Sequence, residues 1–206
     1  MFIQDQGCLL RKADQGEHHL LLVFFLQGSG IRQVLARRSK QPGSGPAIPD
    51  LFETGELVLQ QRGESKPTYL SEFHSRERFP GIARNYATLN AASQFARFIE
   101  RNLLHMETFP EAWDLTMSAL DSFSTKPCPD GALLKAMYLF ARSEGYAVSA
   151  QWLLQLPDVT RTRIQTVLRF PLENCAEEAS QLREWCRDLG NYFQRSTDLL
   201  PPDVGF

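Results

Sequence analysis

The feature that most constrains this chain is a change of hydrophobic period at Phe79-Pro80-Gly81. Before that point apolar residues come in short runs broken by turn residues. After it they recur at steps of three and four, the spacing of one helix face. A chain that switches period once has a sheet to bury in its first part and helices to pack in its second. The expected fold is therefore α+β, with a β domain over residues 1–80 and an all-α domain over residues 81–206.

Within the first part, Phe2 to Leu10 and His19 to Leu26 are apolar-rich runs separated by the polar stretch Arg11 to Glu17. Gly28-Ser29-Gly30 punctuates before Ile31 to Ala36, a hairpin partner. Gln41 to Pro49 holds three Pro and two Gly and reads as a loop. Glu56 to Gln61 and Tyr69 to Phe73 add two strands around Arg62-Gly63-Glu64. Five short strands in so few residues suit a small β-barrel, and the five-stranded OB-fold is the nucleic-acid-binding barrel of that size.

The second part predicts a run of helices. Leu89, Ala92, Phe95, Ala96, Ile99, Leu103 and Met106 mark one face of the first. Thr108-Phe109-Pro110-Glu111 reads as a capping box opening a second that carries Trp113, Met117, Leu120 and Phe123. Asp130 is expected to cap a third helix, stopped at Gly145, and Asp158 a short one ended by Pro171. Asn174, with Glu177 three residues on, is expected to open a last helix through Leu182, Cys186, Leu189 and Phe193.

Chemistry-bearing motifs are scarce. The longest apolar run, Leu20 to Leu26, is far too short to span a bilayer, and the first residues lack the parts of a signal peptide. A cytoplasmic, soluble protein without membrane contact is expected, as a monomer. No G-x-G-x-x-G, Walker lysine loop, H-E-x-x-H or G-x-S-x-G occurs. The expectation is a non-enzyme with no cofactor. The four cysteines, at 8, 128, 175 and 186, form no C-x-x-C pair, which argues against a structural metal. His18 and His19 are adjacent, and neighbours on a strand point to opposite faces, so they are poorly placed to share an ion.

Charge is the informative property. The formal net charge is −2, but residues 1–80 carry 10 basic and 9 acidic side chains against 12 and 15 in the remainder. Arg32, Arg37, Arg38 and Lys40 lie between Ile31 and Pro49, where no acidic residue occurs. A cationic strand end leading into a loop suits either a solvated surface or a phosphate backbone, each contact releasing counterions. Stacking platforms are the other requirement: Phe24, Phe25, Tyr69 and Phe73 are candidates, with core packing the competing role. A second cluster, Arg161, Arg163 and Arg169, fits a solvated face, an acidic peptide or nucleic acid.

The order of these features resembles the RecO family of bacterial recombination mediators. Gly16-Glu17-His18-His19 stands at the family's G-E-x-D motif, with His19 where Asp is usual. Leu20 to Leu26 and Gly30 match the strand and turn that follow, and Val34-Leu35-Ala36-Arg37-Arg38-Ser39-Lys40 resembles the basic strand end, Arg37 replacing a Gly. Asp50-Leu51-Phe52 stands near an L-x-P-F segment and Leu70-Ser71-Glu72 near a later l-x-E. Leu133-Leu134 through Gly145-Tyr146 resembles a helix ending in G-Y, and Leu182 through Leu200, with Gln194-Arg195-Ser196, the final helix. Many members insert a cysteine-rich zinc segment after G-Y; here Tyr146 runs straight into Ala147-Val148-Ser149. The chain is similar to a compact, divergent member without that segment.

The resemblance implies binding of single- and double-stranded DNA, strand annealing and recombinase loading in DNA repair and recombination. It also implies a RecR-like partner and the acidic tail of the single-strand-binding protein. On that basis Arg32, Arg37, Arg38 and Lys40, and secondarily Arg11 and Lys12, bind DNA phosphates, while Arg161, Arg163 and Arg169 meet the protein partner. The alternative is an interaction or scaffold module of the same architecture without DNA binding.

Overall fold

The computed structural model describes residues 1–38, 46–61, 63, 66–104 and 110–202. They divide into two compact units, Met1–Phe79 with Leu103–Trp113, and Pro80–Asn102 with Asp114–Phe206. The boundary thus differs from a single cut at residue 80. The buried indole of Trp113 meets Phe25 edge-on, ring centres 5.3 Å apart, and that contact groups it with the strands.

The first unit is the expected five-stranded OB-fold barrel. Its strands are β1 (Phe2–Gln15), β2 (His19–Leu26), β3 (Gly30–Arg37), β4 (Thr54–Gln61) and β5 (Thr68–Glu77). They close in the order β1-β2-β3-β5-β4. Every pairing is antiparallel except β3 with β5, a parallel contact whose register pair is Leu35 with Tyr69. Alternation sets the core: Leu20, Leu22, Phe24 and Leu26 of β2 point inward with Val34, Ala36, Leu57, Leu59, Leu70 and Phe73. β1 runs on through the polar residues that the sequence separates from it. Its first half pairs β4 and its second half β2, with a bulge between Leu9 and Arg11 that bends it from one neighbour to the other.

The return from the 46–50 segment into β4 is held by a buried carboxylate. Glu53 is 3% exposed; its side chain accepts from the Asp50 N–H at 2.8 Å and from Arg78 Nε at 2.9 Å. Burial alone would raise its pKa, but hydrogen bonds from Ser75, Asp50 and Arg78 outweigh that and hold it below the ordinary 4.5. The same turn threads Phe52, in a left-handed conformation, so that its N–H reaches the Leu9 carbonyl at 2.8 Å.

The second unit is helical: α1 (Tyr86–Asn102), α2 (Pro110–Thr125), α3 (Pro129–Ser143), α4 (Val148–Gln151), α5 (Asp158–Arg169) and α6 (Ala179–Ser196). α2 begins in the first unit and continues in the second. An aromatic cluster forms the second unit's centre, with Phe98 stacked on Phe193 at 5.8 Å and edge-on to Phe140 at 5.0 Å. A short 3-10 turn at Pro80–Arg84 opens the unit. Gly81 donates to Ser124 Oγ at 3.0 Å, and a Cβ there would lie 1.8 Å from the Ser124 carbonyl oxygen, so the turn admits only glycine.

Four helix ends differ from expectation. α1 stops at Asn102, before Leu103 and Met106, because the Asn102 side chain donates back to the Phe98 carbonyl at 2.8 Å. Cys128, not Asp130, is the N-cap of α3; Pro129 takes the first helical position, which needs no N–H, and Asp130 lies buried in the first turn. Pro157 occupies the cap of α5, and Asp158 is its first residue. Glu178 precedes α6, while Asn174 ends a separate 3-10 turn, Leu172–Asn174. The proposed capping box at Thr108-Phe109 lies outside the described residues. No helix among the described residues is long and apolar enough to cross a membrane.

Glu53→Gln should lower unfolding free energy by about 2 kcal/mol at neutral pH, the scale of a hydrogen bond to a charged group. A carboxylate whose folded pKa is depressed contributes fully above pH 4.5 and loses that contribution as pH falls through the lower folded value. The gap between wild type and variant in chemical denaturation should therefore close in acid.

Candidate nucleic-acid interface

Barrel closure builds a groove of about 540 Å³ lined by His18, His19, Arg37, Gln60, Lys66, Pro67 and Tyr69. Four strands and two of their connections supply these residues. His18 ends the β1–β2 turn and His19 starts β2; Arg37 ends β3; Gln60 lies near the end of β4; Lys66 and Pro67 belong to the β4–β5 loop and Tyr69 to β5. The register brings them together, since His19 pairs Arg37, Gln60 pairs Tyr69, and Tyr69 pairs Leu35. His19 and Tyr69 meet edge-on with ring centres 6.1 Å apart. Arg37 and Lys66 are exposed, and neither side chain has a hydrogen-bond or ion-pair partner among the described residues. No carboxylate lines the groove among the described residues. The site thus offers two unpaired cations beside two imidazoles and a phenol ring, chemistry that suits a phosphate chain carrying flat bases.

Of the cations singled out in the sequence, Arg37 alone among the described residues reaches this groove. Arg32 is five residues back along β3, roughly 17 Å away at about 3.3 Å per residue, and its odd spacing turns it to the other face. Arg38 is exposed but forms an ion pair with Asp14, so its charge is locally balanced. Lys40 lies outside the described residues. Arg11 sits half-buried at the β1 bulge and engages other groups of the chain. Lys12 Nζ donates to the Pro49 carbonyl at 3.3 Å.

The aromatic candidates also separate. Phe24 packs in the barrel core against Phe73, and Phe25, on the opposite face of β2, is covered by Trp113. Tyr69 alone of the four remains half-exposed. Sequence reasoning misses Lys66, and it does not place either histidine in a nucleic-acid site. The sole signal for Lys66 was its place just before Pro67, in a loop between two strands. Among the described residues no cluster of His, Cys, Asp and Glu is arranged to hold a metal ion.

The α5 arginines do not form one surface. At about 100° per residue, Arg161 and Arg163 stand on nearly opposite sides of the helix. Arg161 pairs with Asp158; Arg163 pairs with Glu177 and lies 5.4 Å from the Trp185 ring centre. Arg169 is exposed with no ion pair among the described residues. A second cationic groove, about 520 Å³, runs between α1, α3, α6 and the 200–202 segment. Arg101, Arg183 and Arg187 line it with Asn90, Asn191 and Gln194. Its one acid among the described residues is Asp130, whose pKa burial raises against the opposing pull of Arg183, 3.2 Å away. The wall is fixed where Arg101 donates to the Pro201 carbonyl at 3.2 Å and Asn102 brackets the Leu200 backbone through both its amide atoms.

No protein-family model matches the chain, and no curated protein matches it in sequence. The class defined here is an OB-fold barrel with a helical unit, and it rests on the strand order and the groove.

Because Arg37 and Lys66 are exposed and their side chains have no partner among the described residues, reversing both to Glu should change unfolding free energy by no more than about 0.5 kcal/mol, read by chemical denaturation.

Proposed function

We propose that this chain is a non-enzymatic DNA-binding protein of the RecO type, a mediator that binds single- and double-stranded DNA and promotes annealing and recombinase loading in DNA repair. The observation that carries the proposal is the place of the barrel groove. It uses the β1–β2 turn, the β4–β5 loop and the ends of β2 and β3, the surface on which OB-folds bind oligonucleotides. The resemblance read from the sequence adds support. In this reading Arg37 and Lys66 hold phosphates, and Tyr69 with His19 offers the surface on which a base rests. Neutralising two strands together lowers the repulsion that slows their annealing, with no covalent step and no cofactor.

The protein partners expected of such a mediator are a RecR-like protein and the acidic tail of a single-strand-binding protein. For an acidic tail the groove of Arg101, Arg183 and Arg187 is the better receptor than α5, because its three guanidinium groups line one concave surface whereas Arg161 and Arg163 stand on nearly opposite sides of their helix. A cytoplasmic location follows from the same reading. The second reading, a scaffold module without DNA binding, is favoured by the net charge of −2 and by the Arg38–Asp14 pair, which shrinks the cationic surface.

Fluorescence anisotropy of a labelled single-stranded oligonucleotide, titrated at low and moderate salt, decides between them. DNA binding predicts affinity that falls with salt, and a log–log slope shallower by about 0.7 for each phosphate contact removed. Arg37→Glu with Lys66→Glu should weaken binding at least about tenfold, and Tyr69→Ala should cost about 1–3 kcal/mol of stacking. No binding by the folded wild type at low salt would leave the scaffold reading standing.

A further inference from the structure

Three of the four cysteines gather at the start of α3. Cys128 caps that helix, Cys175 follows the 3-10 turn Leu172–Asn174, and Cys186 lies on α6. Their surroundings differ. Cys186 Sγ lies 3.6 Å from the Asp130 carbonyl oxygen, to which its thiol donates, while Cys128 and Cys175 face each other across Gly131. A Cβ on that glycine would sit 2.7 Å from Cys128 Sγ and 3.6 Å from Cys175 Sγ, so both sulfurs occupy the space that the missing side chain leaves. Both are partly exposed and both lie just outside regular structure, Cys128 at the N-cap of α3 and Cys175 at the end of the 3-10 turn Leu172–Asn174. Cys8, by contrast, is buried in the barrel.

We propose that Cys128 and Cys175 are a redox-sensitive pair that closes to an intramolecular disulfide when the protein meets a peroxide. The bond ties the first turn of α3 to the segment after residue 174. Burial, then the neighbouring Cys175 thiol, push Cys128 up to about 12. In the proposed order Cys175 attacks first and Cys128 resolves. The Cys175 thiolate attacks a peroxide oxygen: an S–O bond forms, the O–O bond breaks, and hydroxide leaves and takes a proton. Cys128 then attacks the Cys175 sulfenic acid; the S–S bond forms, the S–O bond breaks, and the Cys128 proton leaves with the departing hydroxide as water. Two thiols and one hydrogen peroxide give one disulfide and two waters. Gly131 is the residue that permits the approach.

The test is peptide mapping of the full chain after exposure to dilute hydrogen peroxide, under non-reducing conditions with free thiols alkylated in denaturant. The expected result is a Cys128–Cys175 linked peptide, reversed by dithiothreitol, with Cys8 and Cys186 alkylated as in untreated protein. Cys128→Ser should abolish the link and leave a Cys175 sulfenic acid that dimedone traps. Cys175→Ser should leave Cys128 unlabelled at the same exposure. Wild type in which Cys175 proceeds to sulfinic acid without linkage, or in which links form only between molecules, overturns the proposal. The wild-type map decides by itself should either serine variant fail to fold.

Discussion

Everything proposed for the first unit depends on one parallel contact, β3 against β5 through Leu35 and Tyr69. The other four strand pairings are antiparallel and could form an open, strongly twisted sheet. This one turns the sheet into a barrel, removes both edges, and encloses the Leu, Val and Phe core. It also brings the end of β3 beside the start of β5. Arg37 arrives from one side and Lys66 and Tyr69 from the other, with His19 bridging through its own pairing to Arg37. A site made this way is held by the core: a side chain cannot leave the groove without disturbing a register that the buried face enforces.

The electrostatic pattern follows a simple rule. Where an arginine lies next to a carboxylate of its own chain, as Arg38, Arg161 and Arg163 do, the local field is small. Where a cation has no partner among the described residues and lies near an aromatic ring, as at Arg37 and Lys66 beside Tyr69, the field is open to a ligand. A net charge of −2 is compatible with both, because binding responds to local clusters over a Debye length and hardly to the sum over the molecule. In the second unit geometry separates the groove of Arg101, Arg183 and Arg187, whose guanidinium groups line one concavity, from the α5 surface, whose arginines diverge. Within that groove Arg183 is itself paired with Asp130.

Much of the fold was legible because periodicity reports burial directly. The alternating residues of β2, the apolar stripes of α1 and α6 and the turn glycines placed the elements almost where they stand. The helix caps were less legible. Asp130, Asp158 and Asn174 have the right side chains for capping, but Pro129 and Pro157 fixed the entry geometry one or two residues earlier, and a buried Asp130 gained a partner in Arg183 instead. Phe25 had the alternation of an exposed residue and lost its exposure to Trp113, which lies far along the chain.

The sequence by itself determined the class of fold, the barrel core, the helical second unit and the presence of unevenly distributed positive charge. Those are consequences of short-range period and composition, which need no knowledge of what lies opposite. Which cations act together was decided only by the tertiary structure. Arg32 and Arg37 are near in sequence and separated by a strand's length, whereas Arg37 and Lys66 are far in sequence and share a groove. The physical reason is that strand pairing converts distant positions into neighbours through register, and register is fixed by the whole buried face rather than by any local run of residues.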